Sequence, residues 1–441
     1  MSRATLLIVG LFAILIAFPI KVRALDETLL DTLVELPATE VVPASYAIDF
    51  GSDKAWRKGK FSIMPYGAFW ADMVYATQRT NPGAFTFFVF SEQTQGESAF
   101  TIDARRSRFG FNATGPGIPI NGGMETGGQL EIDFHGDFIL ENRAEVLLRQ
   151  AYWEAKNERH RYLVGQYWDV ISPLLPRTLN YSVGWLGGNI GFRRAQFRYE
   201  RAGSFDGNVS WILQSSLNQD IIPDFTMESG VVRESSSWPV VEARAAITLN
   251  PDAGSRATTL GLSGHIGETG FDFLSVGPPP PSLPPVDDVR LETWSFNIDL
   301  SIPVTKRTHL QAEFFRGRNL SPFLGGIGQG VCPCTRDTIG STGGWGDLSY
   351  DCSDNVTLHF GYGVDDPDND DFLFGRTYNQ FIFANFLIYL TEGLSTGVEL
   401  TYWKTLYQDR RVGLPGVPAD ELRPTAPGKA YVIDWMVKYA F

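Results

Sequence analysis

Ala430-Tyr431-Val432-Ile433-Asp434-Trp435-Met436-Val437-Lys438-Tyr439-Ala440-Phe441 closes the chain. Tyr431, Ile433, Trp435, Val437, Tyr439 and Phe441 form one side of an alternation, and all are apolar or aromatic. The other side, Ala430, Val432, Asp434, Met436, Lys438 and Ala440, is mixed. Successive side chains of a strand point to opposite faces, so the stretch reads as a strand with lipid on one face and water on the other. A soluble sandwich rarely offers such a row of large apolar side chains at its last residue.

Upstream the same rhythm recurs in short segments separated by turn residues. Leu130, Ile132 and Phe134 alternate with Gln129, Glu131, Asp133 and His135. Trp294, Phe296, Ile298, Leu300 and Ile302 alternate with Thr293, Ser295, Asn297, Asp299 and Ser301. Strand cores are expected near 61–75, 99–113, 128–135, 144–154, 160–168, 191–200, 208–218, 239–249, 257–267, 290–302, 308–317, 343–350, 355–363, 376–390, 393–404 and 429–441. That is sixteen, an even number. The expected fold is all-β, a 16-stranded antiparallel transmembrane β-barrel with a short N-terminal periplasmic extension.

Connection lengths sort by parity. Long ones lie near 77–98, 168–190, 219–238, 268–289, 319–342, 365–375 and 407–428, and short ones near 155–159, 202–207, 250–256, 303–307, 351–355 and 391–393. Transmembrane barrels have short periplasmic turns and long external loops. Two connections break the rule: Thr114–Thr126 is long for a turn, and Gly136–Arg143 is short for an external loop.

The totals agree. A net charge of -13 over 441 residues argues against a nucleic-acid partner, where a basic face is expected. A mean hydropathy of -0.10 excludes a polytopic helical membrane protein but not a barrel, whose strands turn only every second residue to lipid. Residues 1–24 read as a signal peptide, with Arg3 before an apolar core from Thr5 to Phe18 and Val22-Arg23-Ala24 at the cleavage site. Residues 25–59 read as a periplasmic extension with a short helix, and 60–441 as the barrel. Cys332, Cys334 and Cys352 are too few for a disulfide framework, and Cys332-Pro333-Cys334 reads as a loop feature rather than a metal site. No metal or cofactor is expected.

Arginine is unevenly placed. By phase, Arg106 and Arg108 on the second strand, Arg149 on the fourth, Arg194 and Arg198 on the sixth and Arg244 on the eighth face the lumen. Glu131, Asp133, Asp299 and Asp347 are the facing acids. A row of guanidinium groups on one arc attracts carboxylates or phosphates and holds them bidentately. Ordinary pairing of these arginines with the acids is the competing reading. The connection Trp168–Ile190, with Pro173, Leu174, Leu175, Pro176, Arg177, Gly184, Gly187 and Gly188, is too apolar for a loop in water. It is expected to fold back into the barrel, with Arg177 among the solute-binding residues; packing on the rim or on a neighbouring subunit is the alternative.

Several runs are similar to those of the DcaP-like porins: Asp103-Ala104-Arg105-Arg106-Ser107-Arg108-Phe109-Gly110-Phe111, Leu148-Arg149-Gln150-Ala151-Tyr152, Gly165-Gln166-Tyr167-Trp168 and Phe192-Arg193-Arg194-Ala195-Gln196-Phe197-Arg198-Tyr199. Gly361-Tyr362-Gly363-Val364-Asp365, Ala384-Asn385 and Val398-Glu399-Leu400-Thr401-Tyr402-Trp403 extend the resemblance, which spans about Phe61 to Phe441. It implies a homotrimeric sixteen-stranded porin of the bacterial outer membrane that takes up dicarboxylate-type anions. The last strand resembles the C-terminal strand of bacterial outer-membrane proteins, which implies Tyr439 and Phe441 as a membrane-insertion signal read by the barrel-assembly machinery. H-E-x-x-H does not occur, and His135 and His265 face the lumen by phase, so an enzyme is not expected. The alternatives kept open are a phosphate- or oxyanion-selective porin and a non-conducting surface-display or adhesive barrel.

Overall fold

The structure, a computed structural model, describes residues 55–136, 143–206, 208–221, 231–234, 236–250, 257–274, 284–413, 417 and 419–441. The expected signal peptide and nearly all of the expected extension lie outside them. At its end, Trp56–Lys58 forms a short hairpin arm against Phe61–Ile63.

Sixteen antiparallel strands close into a barrel. They are β1 (Phe61–Ala76), β2 (Ala99–Asp103 continued by Arg108–Ile118), β3 (Met124–Asp133), β4 (Leu147–Lys156), β5 (His160–Trp168), β6 (Arg193–Asp206), β7 (Val209–Asn218) and β8 (Val240–Leu249). There follow β9 (Thr258–Phe273), β10 (Val286–Pro303), β11 (Thr308–Arg318), β12 (Gly340–Ser353), β13 (Val356–Pro367), β14 (Phe374–Tyr389), β15 (Leu394–Asp409) and β16 (Gly428–Ala440). Closure comes from β1 pairing with β16, from Ala68↔Ala440 to Ala76↔Val432. None of these sixteen strands is left at an open edge of the barrel, which a lipid setting demands. All sixteen expected strand cores fall on these strands.

The phase holds. Phe100, Ile102, Phe197, Leu260, Leu262, Phe296, Phe360, Tyr431 and Tyr439 point outward and are exposed, while their chain neighbours point in and are buried or half-buried. A face this apolar suits lipid. Phe441 exchanges backbone hydrogen bonds with Gly67 and joins Phe69 and Phe109 in an outer aromatic cluster.

Two features differ from the sequence expectation. β2 breaks at Ala104–Ser107, where four residues pass three on β1. The hydroxyl of Ser107 repairs the ladder, accepting from Trp70 N at 3.0 Å and donating to Trp70 O at 3.2 Å. Thr114–Thr126 is not a long turn: both arms are strand, paired from Thr114↔Gly127 to Ile118↔Met124, and only 119–123 turns. Cys332 and Cys334 are bonded to each other in the loop after β11, and Cys352 is exposed and free.

Candidate functional site

The connection after β5, residues 169–192, runs along inward-facing carboxylates of four other strands. Glu242 on β8 accepts from Val170 N at 2.5 Å, and Glu313 on β11 accepts from Leu174 N at 2.7 Å. Asp347 on β12 accepts from Arg177 N at 2.8 Å. Glu399 on β15 accepts from Thr178 Oγ1 at 2.6 Å and from Leu179 N at 2.8 Å. An irregular segment must find acceptors for its buried N–H groups, and the carboxyl oxygens supply them. All four carboxylates are buried.

The tip of this segment rests on an aromatic shelf. Phe381, Phe383 and Trp403 point inward from β14 and β15, with Phe381 stacked on Trp403 at 4.7 Å. Space for the rings comes from glycines on β13. A Cβ on Gly361 would lie 2.2 Å from the Phe383 ring, and one on Gly363 2.3 Å from the Phe381 ring. Gly188, at φ +127, comes so close to Gly344 O that a Cβ would lie 2.3 Å from it. Only glycine accepts both that conformation and that approach.

Two further loops fold over the same space. The hairpin Thr80–Pro82 and Thr86–Val89 lies in the connection after β1, which the sequence had suggested was simply an external loop. Asn180 bonds Thr86 at both its N and its O, and Asn379 donates to Phe87 O at 2.8 Å and to Leu186 O at 2.7 Å. From the connection after β11, Leu324 O accepts from Leu186 N and Phe323 O from Gly191 N. Phe85, Phe87, Tyr181, Trp185, Leu186, Leu324 and Ile327 bury one another at this junction.

The arginines fall into two groups. Arg194 and Arg244 are locked in bidentate pairs. Arg194, with a fully buried side chain, holds Asp169 at 2.6 and 3.0 Å; Arg244 holds Asp299 at 2.9 and 2.6 Å. They read as structural ties between wall and loop and between β8 and β10. Arg106, Arg108, Arg149 and Arg198 line the wall from β2 to β6. Arg149 bridges Glu131 at 2.8 Å and Asp133 at 2.6 Å, and Tyr181 donates to Asp133 at 2.9 Å. Burial pushes the Tyr181 hydroxyl up to about 12, so it stays a donor at neutral pH. Arg198 pairs with Glu200 at 2.6 Å. Arg106 lies 3.9 Å over the Trp70 ring, donates to Leu179 O, and keeps Asp72 at 3.6 Å. Arg108 reaches Glu131 at 3.6 Å.

Exposure separates the partners in some of these pairs and not in others, Arg198 being 7 % exposed against 8 % for Glu200. Side-chain exposure is 19 % for Arg108 against 3 % for Glu131, 11 % for Arg106 against 8 % for Asp72, and 14 % for Arg161 against 9 % for Glu154. Arg177 goes furthest. Its N–H is held by Asp347 and its C=O by Asn385 at 2.8 Å, while its half-buried guanidinium has no hydrogen-bond or ion-pair partner among the described residues.

Trp70, Arg161 and Lys438 lie on or next to this stretch of wall and were not singled out from the sequence; Lys438 lies 4.8 Å over Trp70. Their lumen phase was the available signal. Glu242, Glu313 and Glu399 had the same lumen phase, but it did not tell that they hold the loop, because their loop partners come from distant sequence.

No family model matches the chain, and no curated protein does at a significant level. Among solved structures, the outer membrane channel DcaP of Acinetobacter baumannii matches with a TM-score of 0.66 and 16% identity, over 87% of this chain and 99% of that one. This is the porin fold. An anion-selective porin from Comamonas acidovorans matches at 0.51 and 12% identity, over 87% and 100%. Outer-membrane expressed OmpT of Vibrio cholerae matches at 0.51 and 10%, over 88% and 100%. At the level of the porin fold, the resemblance to DcaP-like porins is borne out.

Proposed function

We propose that the chain is a bacterial outer-membrane porin through which small hydrophilic anions diffuse without chemistry. One observation carries the reading: the lumen carboxylates are buried as acceptors for loop N–H groups and arginines, whereas Arg106, Arg108 and Arg161 retain exposure. A chain of net charge -13 thereby presents cations to the water inside it. The segment 169–192 narrows the lumen and carries Arg177 at the narrowing. Arg106, Arg108 and Lys438 continue the cationic track beside Trp70. The Comamonas acidovorans porin, named as anion-selective, supports the choice of sign. Dicarboxylate-type solutes, assembly as a homotrimer and insertion through the C-terminal strand follow from the resemblance to DcaP-like porins.

The apolar junction of the three loops favours a second reading, a barrel closed at its outer mouth that displays its loops. Reversal potential in a planar bilayer under a potassium chloride gradient separates them. Stepwise current with chloride preference is expected. Cation preference would remove the anion assignment and leave the porin; a folded barrel without current would leave the display reading.

A further inference from the structure

Arg193 opens β6 at the outer mouth and is only 2% exposed. Among the described residues its Nε and both Nη atoms have no hydrogen-bond partner. The Trp168 ring lies 4.9 Å from its Cζ and the Phe192 ring 4.7 Å. Trp185 continues the shell, 5.2 Å from Phe192 and 6.3 Å from Trp168. The indole N–H groups of Trp168 and Trp185 are likewise buried without acceptors among the described residues. A guanidinium and two indoles can only donate, so this cluster offers donors and no acceptor of its own. The nearby Asp133 is already engaged by Arg149 and Tyr181. Arg108, Arg149 and Arg193 set three cations against the carboxylates of Glu131 and Asp133.

Buried donors in folded proteins are nearly always matched by acceptors, and a buried cation calls for a counter-charge. We propose that Arg193, Trp168 and Trp185 form a subsite for a planar monoanion, a carboxylate head group, at the outer mouth. The guanidinium fork matches the two carboxylate oxygens. The indoles add donors from the side, and the rings favour a flat group. One negative charge balances three cations against two anions; a second would remain uncompensated in a desolvated place. Only the role of this subsite in transport, as a station ahead of Arg177, rests on the porin reading.

The test is thermal unfolding of the full-length barrel in detergent, titrated with sodium formate against sodium fluoride at equal ionic strength. Formate is expected to raise the wild-type midpoint in a saturable way. Arg193→Gln should lose that rise, or show it with a dissociation constant about tenfold or more weaker, as the loss of a charge-assisted hydrogen bond implies. Trp168→Phe keeps the ring and removes one donor, so a smaller weakening is expected. An Arg193→Gln barrel that responds to formate like the wild type overturns the subsite. Where that variant does not fold, an unchanged response of Trp168→Phe overturns it instead. Formate binding in a barrel that passes no current would keep the subsite and sink the porin reading. Current without Arg193-dependent binding would do the reverse.

Discussion

The inner wall has two unlike sectors. Along the outer halves of β14, β15, β16 and β1 it is dry: Val74, Ala76, Phe381, Phe383, Trp403, Ala430 and Val432 face inward with Val89 of the first loop against them. From the inner half of β1 through β6, it carries Trp70, Arg106, Arg108, Arg149, Arg161 and Arg198. The same alternation builds both, since each has lipid outside. What differs is the occupant. The dry sector is the seat of a loop, held as a protein core is held, by close packing. On the cationic side the guanidinium groups of Arg106, Arg108 and Arg161 retain contact with solvent. Stability should therefore reside mainly in one sector and ion preference in the other.

The largest expected effect tests the first half of that division. Phe381→Ala removes a fully buried ring on which Gly184 and Gly187 rest. Such truncations cost about 3–5 kcal/mol, read as a fall in the urea midpoint of the folded barrel. Arg177→Ala should stay within about 0.5 kcal/mol of the wild type, because its guanidinium supports no other group. Equal losses would erase the distinction.

Next in size is Glu399→Ala. Glu399 is the joint between the two sectors, accepting from Thr178, Leu179, Asn385 and Thr401. A buried donor left without its acceptor costs about 1–3 kcal/mol, and the stability loss should be at least of that size. The loop beside Arg177 loses an anchor at the same time, so single-channel current should rise and become noisier. A quieter current of unchanged size would show that the loop is held without Glu399.

The sequence reading reached the barrel because period two reports which face a residue occupies. It could not report what lies across the lumen. Gly361 was legible as an inward position opposite Phe360 and Tyr362, but not as the space for Phe383. Arg194 and Arg106 had the same phase and the same expected role, yet Arg194 is sealed against Asp169 and Phe323. The run Phe85-Thr86-Phe87-Phe88-Val89 carried the signal of an infolded hairpin, being too apolar for an external loop. The break in β2 rests on one hydroxyl, that of Ser107, and leaves no periodic trace.

The smallest expected effect distinguishes the exposed arginines from the sealed ones. A unit charge about 5 Å from an ion in water contributes roughly 0.8 kcal/mol, attractive for chloride and repulsive for potassium, or about fourfold for each before screening. Arg177→Gln should thus lower the chloride-to-potassium ratio by a few-fold at 0.1 M salt, where the Debye length is about 10 Å. At 1 M that length falls to about 3 Å, and the wild-type ratio should approach that of the variant. Sealed pairs such as Arg194–Asp169 and Arg244–Asp299 are screened far less. A wild-type preference that survives 1 M salt undiminished would therefore move its origin from the water-facing arc to the buried pairs, and the division between the sectors would have to be drawn elsewhere.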